Sequence, residues 1–181
     1  AILYTSATTG APKGIVISRR CALFHALTYA HHMRITDEDR VSLFPPLHVG
    51  ASLSNLFATL VSGAAVCPLS LQRMGLDGIQ DAISRHGLTV LHMVPSLFRR
   101  LVRDRSMPDA WRLVHHLKLG GETITGQDAA IIRSSGLSGL HLMNGLGITE
   151  AGGNVTFGEI PLDLPPQASV PLGHFVEGIQ A

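Results

Sequence analysis

Short apolar runs alternate with stretches of helical spacing along almost the whole chain, and glycine or proline punctuates nearly every change. Runs that read as strands lie at Ile2–Thr5, Val41–Phe44, Ala64–Leu69, Leu88–Val94, Leu113–Leu119 and Leu140–Met143, with a further short run at Ile15–Ile17. The spacing predicts helices between them. Ser18 caps one that reaches about Met33, with Leu23, Leu27 and Ala30 on one face. Leu53–Val61 is a second, stopped by Gly63, and Leu76–Arg85 a third. Pro95 opens a fourth that reaches about Val102, and Thr125 caps a fifth to about Ser134. Strands alternating with helices predict an α/β fold with a largely parallel sheet. Such sheets bind ligands outside the carboxyl ends of their strands. Three glycine-bearing loops fall at such ends: Ser6–Gly14, Gly120–Glu122 and Asn144–Glu150.

The 181 residues suffice for one domain with a real core. Apolar residues make up 45% and charged residues 15%, which excludes a disordered chain. The formal net charge of +1 is spread without a basic cluster, so nucleic acid is a poor partner. From Val41 to Leu71 there is no Asp, Glu, Lys or Arg, but prolines and hydroxyls interrupt the stretch. It reads as a buried helix and strand, not a membrane span. Cys21 and Cys67 read as reduced core thiols, which fits a cytoplasmic setting. The chain has no initiator Met and opens straight into a strand, so it reads as a segment of something longer. The adjacent pairs His31-His32 and His115-His116 point apart and make poor metal sites. Trp111 and Arg112 read as surface, and Asp77 and Asp81 as a solvated helix face. Leu162–Pro171 is proline-rich and fits either an ordered connection or a flexible loop.

Residues 4–14, Tyr-Thr-Ser-Ala-Thr-Thr-Gly-Ala-Pro-Lys-Gly, carry the densest chemistry. Hydroxyls of Thr5, Ser6, Thr8 and Thr9, a loose backbone at Gly10 and the ammonium of Lys13 are the groups that cradle phosphate oxygens. The order is not that of a Walker A loop. It closely resembles the phosphate loop of the adenylate-forming superfamily of acyl-CoA synthetases, luciferases and nonribosomal peptide synthetase adenylation domains. Ala7 stands where that pattern has Gly.

Two later segments resemble the same family in the same order. Asn144-Gly145-Leu146-Gly147-Ile148-Thr149-Glu150 is similar to its Asn-x-Tyr-Gly-x-Thr-Glu segment, with Leu146 in place of the aromatic that packs on adenine. The resemblance implies that Thr149 touches a nucleotide phosphate and that Glu150 holds Mg²⁺, a hard cation suited to carboxylate oxygen. Gly120-Gly121-Glu122 resembles the segment that lines the adenine pocket. The likeness covers residues 1–181 and implies a part of the family's large N-terminal domain: phosphate loop at 4–14, acyl- and adenine-pocket segments at 45–154, and the small C-terminal domain with its catalytic Lys absent.

Pro46–Ser52 occupies the family segment that enters the acyl pocket. His48 matches acyl-CoA synthetases, which often carry Phe-His close to the reacting carboxylate. Amino-acid-activating members place an Asp where this chain has Gly50, so the resemblance implies a carboxylic acid without a recognised α-amino group. Gly50, Ala51, Ser54, Gly145, Gly153 and Asn154 would line the acyl pocket. The implied activity is ATP-dependent conversion of that acid to an acyl-adenylate, then transfer to the thiol of CoA or of a carrier-protein phosphopantetheine. The alternative is a catalytically incomplete nucleotide-binding fragment, or a remnant of an amino-acid-activating domain.

Overall fold

The computed structural model describes residues 1–5, 12–47, 49–102 and 111–179. Strands β1 (Ile2–Thr5) and β2 (Lys13–Val16) pair antiparallel, with Thr5 opposite Lys13. β1 and β2 thus form a two-stranded sheet of their own, so β1 is not a strand of the main sheet, as the expected place of the 6–14 loop required. The main sheet has seven members: β3 (Arg40–Leu43), β4 (Ala65–Pro68), β5 (Val90–Met93), β6 (His116–Gly120), β7 (His141–Gly145), β10 (Thr156–Glu159) and β11 (His174–Phe175). Their spatial order is β11-β10-β7-β6-β5-β3-β4. From β4 to β7 all neighbours are parallel, and β10 and β11 add antiparallel at the far edge. The largely parallel α/β sheet is as expected. A separate two-stranded ribbon of β8 (Gly147–Ile148) and β9 (Gly153–Asn154) was not legible in the apolar pattern.

Side chains alternate across the central strands and feed two cores. Leu91 and Met93, Leu117 and Leu119, and Leu142 pack on the face that carries α3 (Leu71–Arg85), α4 (Pro95–Val102) and α5 (Gly126–Ser134). Val90 and Met143 pack on the other face, with residues of α1 (Arg19–His32) and α2 (Gly50–Val61). Among the described residues no helix is long and apolar enough to cross a membrane.

Helix α1 starts as expected, since the Cys21 N–H donates to Ser18 Oγ at 3.1 Å. Its buried face is not the expected one. Leu23 and Leu27 are about half exposed (51% and 53%), while His25, Ala26 and Tyr29 are buried. The aromatic ring of Tyr29 decides this, because it meets Phe157 of β10 edge-on across the sheet. Helix α3 begins at Leu71, five residues early, and breaks at Gly75, where φ is +65°. Strand β6 begins later than expected because Trp111 is buried, not on the surface. Its indole N–H donates to Gln80 Oε1 at 2.7 Å, so the chain turns there before entering the sheet. The segment Leu162–Pro171 is an ordered connection: Thr125 bridges Ser169, and the Val170 N–H donates to the Ile124 carbonyl. It lies so close to α5 that a Cβ on Gly126 would collide with the Pro165 carbonyl oxygen.

Asp128 ties α4 to the start of α5. It receives Arg99 Nε at 2.6 Å and Arg99 Nη2 at 2.8 Å from α4, and the Thr125 N–H at 2.9 Å at the start of α5. Burial opposes its ionisation, but these hydrogen bonds outweigh burial and lower its pKa. We expect Asp128→Ala to cost about 2 kcal/mol in urea unfolding at neutral pH, the scale of charge-assisted bonds plus a cap. A depressed carboxylate stabilises above its unfolded pKa and stops doing so as pH falls through the folded one. The gap to wild type should therefore narrow below about pH 4. An equal midpoint at pH 7 would contradict this account.

Candidate active site

Strand β3 is flanked by β4 on one side and β5 on the other. The chain leaves β3 through α2 toward β4, then returns through α3 to β5 on the opposite side. The sheet order reverses here, and a crevice must open outside the carboxyl ends of β3 and β5. A cavity of about 560 Å³ lies at this place. Phe44, Met93, Val94, Gly120, Gly121 and Gly145 contribute from the strand ends, and Gly50, Ala51 and Ser54 from the start of α2. Gly147, Thr149, Gly153 and Asn154 close it from the β8–β9 ribbon.

Absent side chains make the close approaches possible. A Cβ on Gly50 would lie 3.3 Å from Thr149 Oγ1 and 3.6 Å from Leu3 Cδ1 of β1. The hairpin, the first turn of α2 and the Thr149 turn, far apart in sequence, thus meet at one point. A Cβ on Gly145 would lie 2.5 Å from the Thr156 carbonyl oxygen, so only glycine fits. The ribbon is held from below by α1. His25 Nε2 donates to the Ala151 carbonyl at 2.7 Å, and a Cβ on Gly153 would lie 2.6 Å from His25 Cγ. His25 carries no sequence signal beyond its place on a helix.

Other expected site residues stand elsewhere. Lys13 is exposed on β2. Glu150 is exposed in the turn Thr149–Ala151. Glu122 does not line the cavity; it accepts from the Ser96 N–H at 2.9 Å and from Ser96 Oγ at 2.7 Å, holding the start of α4. Asn144 is buried, accepts from the Gly145 N–H at 2.7 Å and donates to the Pro171 carbonyl at 3.0 Å. Leu146 is exposed beside the ribbon and is not part of the cavity wall. Ser6, Thr8, Thr9, Gly10 and His48 lie outside the described residues, as does the Thr5 side chain.

Among the wall residues that no motif marked are three basic side chains: Arg100, exposed on α4, and the buried His92 and Lys118. His92 of β5 and Lys118 of β6 are cross-strand partners and point to the α1–α2 face. Lys118 is 2% exposed, with Nζ 3.3 Å from His92 Nε2 and 5.7 Å from the ring centres of both Tyr29 and Phe157. Burial first, and the Lys118 charge second, hold His92 well below the ordinary histidine range, so its Nε2 accepts. Burial lowers the Lys118 ammonium to about 8, which leaves it mostly charged at neutral pH. The signal was a single Lys between Leu117 and Leu119 in a strand buried throughout.

The profile of the family described as AMP-binding enzyme matches residues 1–181, the whole chain. The chain belongs to the AMP-binding enzyme family. A plipastatin synthase polypeptide of Bacillus subtilis (strain 168) is 29% identical over 95% of this chain, which spans 6% of that protein. The beta-alanine-activating enzyme of Mus musculus is 31% identical over 90% of the chain, which spans 15% of it. Among solved structures, O-succinylbenzoate coenzyme A synthetase of Bacillus subtilis, in complex with ATP and magnesium ion, superposes with a TM-score of 0.75 at 26% identity. That match covers 87% of this chain and 32% of the synthetase. The chain thus spans a small part of the curated relatives and about a third of this structural one.

Lys118 has a pH signature. A base whose folded pKa lies below its unfolded value, about 10.4, destabilises the fold while it is charged. That burden is full below about pH 8 and fades as pH rises to about 10.5. We expect Lys118→Met to melt higher than wild type at pH 7, and the difference to close between about pH 8 and pH 10.5. A lower melting temperature for Lys118→Met at pH 7 would contradict it.

Proposed function

We propose that this chain is the phosphate-loop part of the large domain of an adenylate-forming enzyme, which converts a carboxylic acid and ATP to an acyl-adenylate and pyrophosphate. The observation that carries the reading is the meeting of β1, Gly50 and Thr149 at the mouth of the switch-point cavity. It brings the hairpin bearing Lys13 next to a hydroxyl and a glycine-walled crevice. The matched family supports the nucleotide, and the synthetase solved with ATP and magnesium ion supports the pair. The donor set fits both. Lys13 offers an exposed ammonium for phosphate, Thr149 a hydroxyl, and Glu150 an exposed carboxylate that would hold Mg²⁺. Bound there, Mg²⁺ neutralises phosphate charge.

Catalysis in this reading is positioning and charge neutralisation. The acid lies in the cavity with its carboxylate toward Thr149, where it attacks the α-phosphorus of ATP as pyrophosphate leaves. Lys13, Thr5, Ser6, Thr8, Thr9 and Gly10 would hold the phosphates, Gly120, Gly121 and Gly147 would let adenosine approach the backbone, and His48 would serve the reacting carboxylate. The acceptor in the second step is a thiol, of CoA or of a phosphopantetheine on a carrier-protein domain. The name of the synthetase relative supports CoA. No Asp or Glu lines the cavity among the described residues, which supports an acid without an α-ammonium, since an unpaired buried charge is costly. Leu23 and Leu27 on α1 and Phe57, Leu60 and Val61 on α2 stay exposed, which supports further chain of the same domain covering that face.

We expect Lys13→Ala to lower ATP–pyrophosphate exchange by about 10²-fold, the scale of one lost charge-stabilising donor. Glu150→Gln should raise the Mg²⁺ concentration needed for half-maximal exchange. Near-normal exchange by Lys13→Ala would refute the reading.

A further inference from the structure

The ammonium of Lys118 has three N–H donors and, among the described residues, one polar contact, the neutral His92 Nε2. The aromatic rings of Tyr29 and Phe157 soften its charge but do not neutralise it. A buried cation without an anion is rare, because desolvation costs more than a histidine contact returns. Lys118 also lines the cavity, where Gly120 presents no side chain: a Cβ there would stand 3.2 Å from Nζ. Lys118, 2% exposed, thus borders the cavity with its ammonium beside the bare Gly120 backbone. Its surroundings add donors in want of an acceptor. Ser54 Oγ lines the same cavity, buried and without a partner among the described residues. The buried Tyr29 hydroxyl, on the ring that faces Lys118, is likewise without one.

We propose that Lys118 is a specificity residue that receives a second carboxylate of the substrate, so that the acid activated here is a dicarboxylic acid. This rests on the adenylation reading above and deepens it. The reacting carboxylate must sit beside the phosphate-holding groups, and of the described ones Thr149 alone lines the cavity, half-buried, while Lys13 and Glu150 are exposed outside its wall. Lys118 is in the wall, on the inner side of Gly120. One carboxylate does not serve both places. A substrate with an acidic group at its far end satisfies the ammonium and the Ser54 hydroxyl. A substrate with a neutral end leaves the cation buried and unpaired, which a site built around that charge rejects.

The test compares linear and aromatic dicarboxylic acids with their monomethyl esters, using the full protein. Calorimetry reads acid binding, and ATP–pyrophosphate exchange reads activation. We expect at least one diacid to bind and exchange at least tenfold better than its monoester. In Lys118→Met that preference should vanish, with the monoester gaining and the diacid losing. Lys118→Arg, which keeps the charge, should retain the preference. Equal handling of diacid and monoester by wild type, or loss of both in Lys118→Met, would overturn the proposal, the latter because Lys118 would then serve the reacting carboxylate. Binding of a diacid that depends on Lys118, in a protein that neither binds ATP nor exchanges pyrophosphate, would uphold the acid site and sink the adenylation reading. Failure of every diacid to bind wild type would overturn the acid site alone, since exchange with other acids tests the reading separately.

Discussion

Parallel pairing of β3 with both β4 and β5 is the constraint on which the rest of the molecule depends. A parallel neighbour requires a crossover; the one leaving β3 runs through α2 to β4 and the one leaving β5 runs through α4 to β6, so the two part above the carboxyl ends of β3 and β5. The gap between them cannot be filled by strand or helix. It is filled by loops, and glycine lets them come close. Gly50 admits Thr149 and Leu3, Gly145 admits the Thr156 carbonyl, and Gly120 leaves room for the Lys118 ammonium. The cavity is what remains when these approaches are made.

The same geometry explains the division of charge. Groups suited to phosphate and magnesium stand on a hairpin and a short turn, where water can share their solvation. Lys118, by contrast, is a cation buried on a central strand, and no carboxylate among the described residues neutralises it. Buried carboxylates show the opposite arrangement. Asp39 accepts from the Thr36 N–H at 2.8 Å and from Thr89 Oγ1 at 2.6 Å, and Asp128 holds Arg99, so each is satisfied within the fold. Lys118 is the exception that a ligand would resolve.

The alternation of apolar runs and helical spacing was enough to read the α/β class, because crossover connections follow from parallel pairing alone. The orientation of α1 was not legible. Leu23 and Leu27 make the better apolar stripe, but Tyr29 and His25 have tertiary partners, Phe157 and the Ala151 carbonyl, that no local pattern reveals. Trp111 looked like a loop residue until Gln80 supplied its hydrogen bond. The β8–β9 ribbon has two residues per strand, too short for any periodicity. Around the site, residues 120, 121, 145, 147 and 149 were legible through ordered motifs. Glu122 sits in such a motif too, yet turns to Ser96 because the start of α4 lies beside it. His92 and Lys118 were missed because a lone polar residue in an apolar strand carries no motif, only a physical oddity.

The central claim is that three segments distant in sequence form one nucleotide-binding crevice. Hydrogen exchange with and without Mg·ATP tests it most directly. The account predicts simultaneous protection of the β1–β2 hairpin, the amides 120–121 at the end of β6 and the ribbon at 147–154, with the outer helices α3 and α5 unchanged. Protection confined to one of these segments, or none on adding Mg·ATP, would contradict it.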